Sequence, residues 1–169
     1  MFDLNMKIVS FFGDGLLIPI IYIILLVSIL VIYRKRKSAA LLFLSSLSYF
    51  LSIFLKAIFK HERPQTANIN PMLPFDAYSF PSSHVVFFVA FWGFILYTLL
   101  KYKKINKFIR NIGVVISVYL IFFVGISRMY LGQHYFKDVV AGYLFGGIYL
   151  GFVLYLDKKI NNFSTKNKK

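Results

Sequence analysis

The sequence contains no cysteine. Disulfides, thiolate chemistry and cysteine-ligated zinc or iron–sulfur sites are therefore excluded. Charge is scarce too. Asp, Glu, Lys and Arg make up 15% of the 169 residues, against about 25% in a soluble domain. Acids are the rarer sign, six against 20 Lys and Arg, for a net charge of +14. So few carboxylates leave no second Asp/Glu cluster to hold magnesium. Apolar residues fill the space: 59% are hydrophobic, 20% aromatic, and the mean hydropathy is +0.69. That composition excludes a soluble enzyme, a disordered tail and a coiled coil, and it points to several membrane spans.

Five apolar runs of spanning length lie at 15–33, 39–59, 84–100, 110–126 and 139–156. About 20 apolar residues cross a bilayer core. The sequence thus predicts an all-α integral-membrane bundle of about five transmembrane helices. It forms a single domain over 1–157, followed by a basic, disordered cytoplasmic tail over 158–169. Pro19 falls near the start of the first run, where proline is tolerated. Gly142 and Gly146 lie four apart in the fifth run, a spacing that allows close helix packing. The first run reads as a permanent span and not a signal peptide, because its basic cluster, Arg34 to Lys37, follows the apolar core. Asp3, Lys7 and Asp14 among apolar neighbours permit an amphipathic surface helix over 1–14.

The charges set an orientation. With residues 1–14 outside and the runs alternating, the inner segments 34–38, 101–110 and 157 onward hold 14 of the 20 basic residues. The outer segments hold five, and Lys56 lies within the second run. Positive charge favours the cytoplasmic side, so a plasma-membrane protein with N-terminus out and C-terminus in is expected. The basic clusters read as orientation signals, with attraction to anionic headgroups second, and not as a nucleic-acid surface.

The unusual polar residues gather at one membrane face: Lys56, Arg63, Ser82, Ser83, His84, Ser127, Arg128, His134 and Asp138. Lys56, Arg63 and Arg128 suit a phosphoryl group carrying close to two negative charges, since arginine grips phosphate as a fork and lysine acts as a point charge. For Lys56 alone the plain alternative is a lysine snorkelling to the interface. Pro81-Ser82-Ser83-His84 precedes the third run. It reads as a helix N-cap and, by the same geometry, as an anion cradle of outward N–H groups. His134 and Asp138 are four apart and share a face if helical, so the carboxylate can fix one imidazole nitrogen and leave the other reactive. The alternative is a histidine merely satisfied at a helix start. No metal site is expected, because three cations would repel a divalent ion. A serine hydrolase is disfavoured by the absence of G-x-S-x-G.

Taken together, Lys56-x6-Arg63-Pro64, Pro81-Ser82-Ser83-His84 and Ser127-Arg128-x5-His134-x3-Asp138 resemble the three-part signature of the type-2 phosphatidic acid phosphatase superfamily. That family includes membrane lipid phosphatases, undecaprenyl-diphosphate phosphatases, glucose-6-phosphatase and the vanadium haloperoxidases. The resemblance covers residues 56–138 in the family's order. Ser83 departs from the family's usual Pro-Ser-Gly-His. The family commonly has six spans, so an initial helix is expected to be missing or reduced to 1–14.

The resemblance and the chemistry jointly imply a metal-independent lipid phosphatase, without cofactor. His134 would attack phosphorus and form a phosphohistidine, Asp138 would orient it, and His84 would protonate the leaving group. Lys56, Arg63, Arg128 and the N–H groups near Ser82 and Ser83 would hold the phosphate. The expected partner is a membrane lipid with a phosphate headgroup, first undecaprenyl diphosphate, with phosphatidic acid and phosphatidylglycerol phosphate as alternatives. A vanadate-dependent haloperoxidase, a non-catalytic lipid-binding homologue and a transporter are the competing classes. The last would need polar residues near the bilayer midplane, and few are present.

Overall fold

Long apolar runs satisfy their backbone polar groups internally by coiling, which is what a bilayer requires. In the computed structural model the described residues, 2–12, 17–32, 34–67, 77–102 and 105–166, are almost wholly helical. The elements are α1 (Phe2–Phe11), α2 (Leu17–Ile32), α3 (Arg36–Ser46), α4 (Ser48–Phe59), α5 (Ser83–Lys101), α6 (Lys107–Tyr130) and α7 (Phe136–Lys166). Four helical stretches are long and apolar enough to cross a membrane: Arg36–Phe59, Ser83–Lys101, Lys107–Tyr130 and Phe136–Asn162. The first expected run gives the shorter apolar helix Pro19–Ile32. The chain is a multi-pass membrane protein, and Leu4, Phe50, Phe54, Phe122, Ile148 and Phe152 are among the large apolar side chains on its surface.

The second expected span is present as Arg36–Phe59, but its helix is interrupted. It breaks at Leu47 between α3 and α4. The hydroxyls around the break turn back onto their own backbone: Ser45 Oγ donates to Leu42 O at 2.7 Å and Ser46 Oγ to Phe43 O at 2.6 Å. Such back-bonding competes with the helical ladder and bends it. Residues 158–166, expected as a frayed tail, continue α7. Residues 167–169, and Asp14 and Asp76 among the outer acids, lie outside the described residues.

α5 is the axis of the bundle. Its Val85, Val86, Phe88, Phe91 and Phe94 are buried, and α3, α4, α6 and α7 pack around it. Tyr22 of α2 packs on Phe87, Phe91 and Trp92 of the same helix. Hydrophobicity alone does not hold helices together in lipid, so close packing and polar contacts must. Both are present. A Cβ at Gly142 would fall 2.7 Å from Val85 Cβ, and one at Gly146 would fall 2.9 Å from the Val86 carbonyl oxygen, so α7 seats on α5 where the sequence spacing suggested.

The helices place residues 56–67, 77–84 and 127–138 at one end and residues 34–38, 101–102, 105–107 and 157–161 at the other. At the second end Asp157 pairs with Lys101 and accepts from Tyr97 Oη at 2.7 Å and Asn161 Nδ2 at 3.1 Å. Lys35 stacks over the Tyr102 ring, whose hydroxyl meets Ser38 Oγ at 3.1 Å. At α6's start Asn106 accepts from Phe108 N at 2.9 Å, a side-chain cap that begins the helix there.

Candidate active site

The site forms where the end of α4, the start of α5 and the α6–α7 turn meet. Lys56 lies in the last turn of α4 and is 1% exposed. It is buried within the bundle and does not snorkel along its surface. Arg63 follows in the loop after α4. Its Nη1 donates to Gln133 O at 3.0 Å and lies 3.3 Å from His134 Nε2. That loop is braced from two sides. Ser79 N donates to His61 O at 2.7 Å and Ser79 Oγ to Glu62 O at 2.9 Å. Thr66 Oγ1 donates at 3.1 Å to the carbonyl of Gly132, whose φ of +67° is a left-handed conformation that favours glycine.

Ser82 stands at the N-cap position of α5 in an extended conformation, but its side chain makes no capping bond. Its N–H donates to the Asp138 carbonyl at 3.1 Å and so joins the start of α5 to the start of α7. The Ser82 and Ser83 hydroxyls are buried without a hydrogen-bond partner among the described residues. Leaving a buried hydroxyl unsatisfied costs about 1–3 kcal/mol. Ser83 stands in the first turn of α5, and the positive-φ non-glycine residues among those described are Arg34 and Lys60. The backbone at 83 therefore makes no use of a glycine's freedom. His84, half-buried, follows in the same turn.

His134 precedes α7 instead of lying on it, yet it meets Asp138 as the spacing suggested. Its Nδ1 is 3.6 Å from Asp138 Oδ2. The same oxygen accepts from Tyr135 N at 3.0 Å. Asp138 is the third residue of α7, so its carboxylate reaches back to cap the helix it belongs to. The partners assign the tautomer. Arginine only donates, so Nε2 facing Arg63 carries the lone pair and Nδ1 facing Asp138 carries the proton. Burial is the chief cause that holds His134 protonation well below the ordinary imidazole range. Arg63, Arg128 and Lys56 push the same way, against the pull of Asp138. Arg128, buried in the last turn of α6, donates to Ser10 Oγ of α1, and the neighbouring Ser127 Oγ donates to Met6 O at 2.6 Å.

The structure thus gathers every residue singled out by the sequence at one end of the bundle. It adds others that the sequence did not mark. His61 bonds through Nδ1 to Ser79 Oγ at 2.8 Å, accepts at Nε2 from Lys137, and sets its ring edge-on to Tyr135. Its place between Lys56 and Arg63 was a signal, but its partners are 18 and 76 residues away. Gln133 and Ser10 carried no sequence signal. Among the described residues no three His, Asp or Glu side chains converge as a metal cage requires.

This set of residues, on four long spans, defines a class of protein. The PAP2 superfamily family model matches residues 37–162, and the chain belongs to that family. Among solved structures, it is similar to the transmembrane PAP2-type phosphatidylglycerolphosphate phosphatase from Bacillus subtilis. The TM-score is 0.76 at 25% identity, over 94% of this chain and 78% of that one. Among curated relatives it is 33% identical over 139 residues to phosphatidylglycerophosphatase B of Bacillus subtilis, covering 79% of this chain and 65% of the relative. It is 35% identical over 144 residues to dolichyldiphosphatase 1 of Dictyostelium discoideum, covering 82% and 60%. It also matches lipid phosphate phosphatase delta of Arabidopsis thaliana, 30% identical over 94 residues, 54% of this chain and 22% of that protein. The chain thus spans less than two thirds of the length of each of these curated relatives.

Proposed function

We propose that the protein is a lipid phosphatase that hydrolyses the phosphate ester or diphosphate of a membrane lipid through a phosphohistidine, without a metal. The observation that carries this reading is a buried His134–Asp138 pair, with Arg63, Arg128 and Lys56 acting on the imidazole, at the end of the bundle where Ser83 and His84 line an apolar groove. The groove has a volume of about 480 Å³ and is lined by Ile23, Phe43, Tyr49 and Phe50 as well as by Ser83 and His84. A lipid tail in that groove puts the leaving oxygen beside His84 and the phosphorus near His134.

The steps follow from the atoms present. His134 Nε2 attacks phosphorus. The N–P bond forms as the P–O bond to the lipid breaks, and protonated His84 gives its proton to the departing oxygen. Asp138 steadies the charge that develops on the imidazole. Water then attacks the phosphohistidine, His84 takes the water's proton, and inorganic phosphate leaves. Lys56, Arg63, Arg128 and the first-turn N–H groups of α5 hold the non-bridging oxygens, and this preorganised positive site supplies most of the rate.

The substrate proposed first is undecaprenyl diphosphate, whose apolar polyprenyl tail matches the apolar lining of the groove. Phosphatidylglycerol phosphate is the second reading, favoured by the likeness to the Bacillus subtilis phosphatidylglycerophosphatase in sequence and in structure; phosphatidic acid is a further alternative. The basic end of the bundle suits the cytoplasmic side, which leaves the site facing outward. The test is phosphate release by purified protein in detergent with EDTA, offered the three lipids side by side. Release sensitive to none of the EDTA supports the reading, and the ranking names the lipid. No release from any of them, with or without added magnesium, overturns it.

A further inference from the structure

α1 belongs to the site as much as to the membrane. Its inner side, Met6, Val9 and Ser10, is buried against α6. Two polar contacts fix it there, from Ser127 Oγ to Met6 O and from Arg128 Nη1 to Ser10 Oγ. The second joins residues 118 apart in sequence and ends on a guanidinium that acts on His134. Its outer side carries Leu4, Ile8 and Phe11, exposed by 61%, 45% and 57%, at the spacing of one helical stripe. Asp3 and Lys7 form an exposed pair 2.8 Å apart on the remaining side. An apolar stripe at the level of the helix ends suits the headgroup boundary of the bilayer.

We propose that Ser10 is a positioning residue of the phosphate site: its hydroxyl accepts from Arg128 and aims that guanidinium at the phosphoryl oxygens. An arginine has several rotamers of similar energy, and each unproductive one weakens its grip on phosphate. A fixed acceptor removes that loss before the ligand arrives. The inference rests on the phosphatase reading for its consequence in turnover, but phosphate binding tests it separately.

The experiment compares wild type, Ser10→Ala, Ser10→Thr, Arg128→Lys and the Ser10→Ala/Arg128→Lys double variant in detergent. It titrates inorganic phosphate by calorimetry and measures kcat and KM on the best lipid. Ser10→Ala weakens phosphate binding about tenfold, Ser10→Thr restores it to within about twofold, and Ser10→Ala adds nothing further in the Arg128→Lys background. Equal affinity in wild type and Ser10→Ala overturns the proposal, as does an additive double variant, which would mean that Ser10 acts on packing alone. Failure of Ser10→Thr to recover affinity overturns it too. A wild type that binds phosphate but releases none from any lipid overturns the phosphatase reading and leaves the Ser10 comparison decisive. A wild type that binds no phosphate overturns both.

Discussion

The two ends of the bundle solve the problem of buried charge in opposite ways. At one end Asp157 takes an ion pair from Lys101 and hydrogen bonds from Tyr97 and Asn161, so acid and base are matched within the protein. At the other, Lys56, Arg63 and Arg128 surround a histidine whose one carboxylate partner, Asp138, is already engaged with Tyr135 N–H and the imidazole. Two buried hydroxyls, of Ser82 and Ser83, stand beside them without partners among the described residues. Neutralisation inside the fold makes a structural joint. A cluster of one sign around a histidine is the arrangement that the proposed phosphate site requires.

The largest effect that tests this contrast is removal of the proposed nucleophile. His134→Ala is expected to lower kcat by roughly four orders of magnitude or more while the protein still inserts in membranes. Near-normal phosphate release would assign the chemistry elsewhere. Arg63→Met is next, with a loss of about a hundredfold in kcat/KM. It also moves a pH limb. Because burial and the cations hold His134 protonation low, the site keeps a neutral nucleophile into acid, and kcat/KM is expected to be bell-shaped with its acid limb below the ordinary imidazole range. Removing one cation raises that limb, so an acid limb unmoved in Arg63→Met would separate the guanidinium from His134. The stability linkage has the matching sign. The unfolded chain takes up the proton first, so stability is full above the ordinary histidine value and falls as pH drops below it.

The smallest effect belongs to the opposite end. Asp157→Asn is expected to cost about 1–2 kcal/mol of stability, seen as a lower melting temperature in detergent, with kcat/KM within about twofold of wild type. A large loss of turnover there would show that the two ends are coupled.

Much of this contrast was legible in the sequence. Hydropathy alone located the spans, because a bilayer imposes length and composition on a helix whatever its neighbours. The spacing of His134 to Asp138 anticipated their approach, because that contact is local. The break at Leu47 was hidden inside an uninterrupted apolar run, where only the serines at 45, 46 and 48 hinted at a disturbed ladder. The position of His134 outside the helix was hidden as well. Periodicity cannot say that Asp138 caps the helix from its third residue and so starts it after Tyr135. The bond from Arg128 to Ser10 and the links from His61 to Ser79 and Lys137 depend on which helix ends meet, and no local pattern carries that information.

One oxygen of Asp138 both closes the first turn of α7 and faces the imidazole of His134, 3.6 Å from its Nδ1. Secondary structure and reactivity therefore mature in the same event. On the phosphatase reading, a chain whose last helix has not wound to its start holds a histidine without its carboxylate partner and is expected to release no phosphate. On the phosphatase reading, turnover therefore doubles as a report that the last helix has wound to its start.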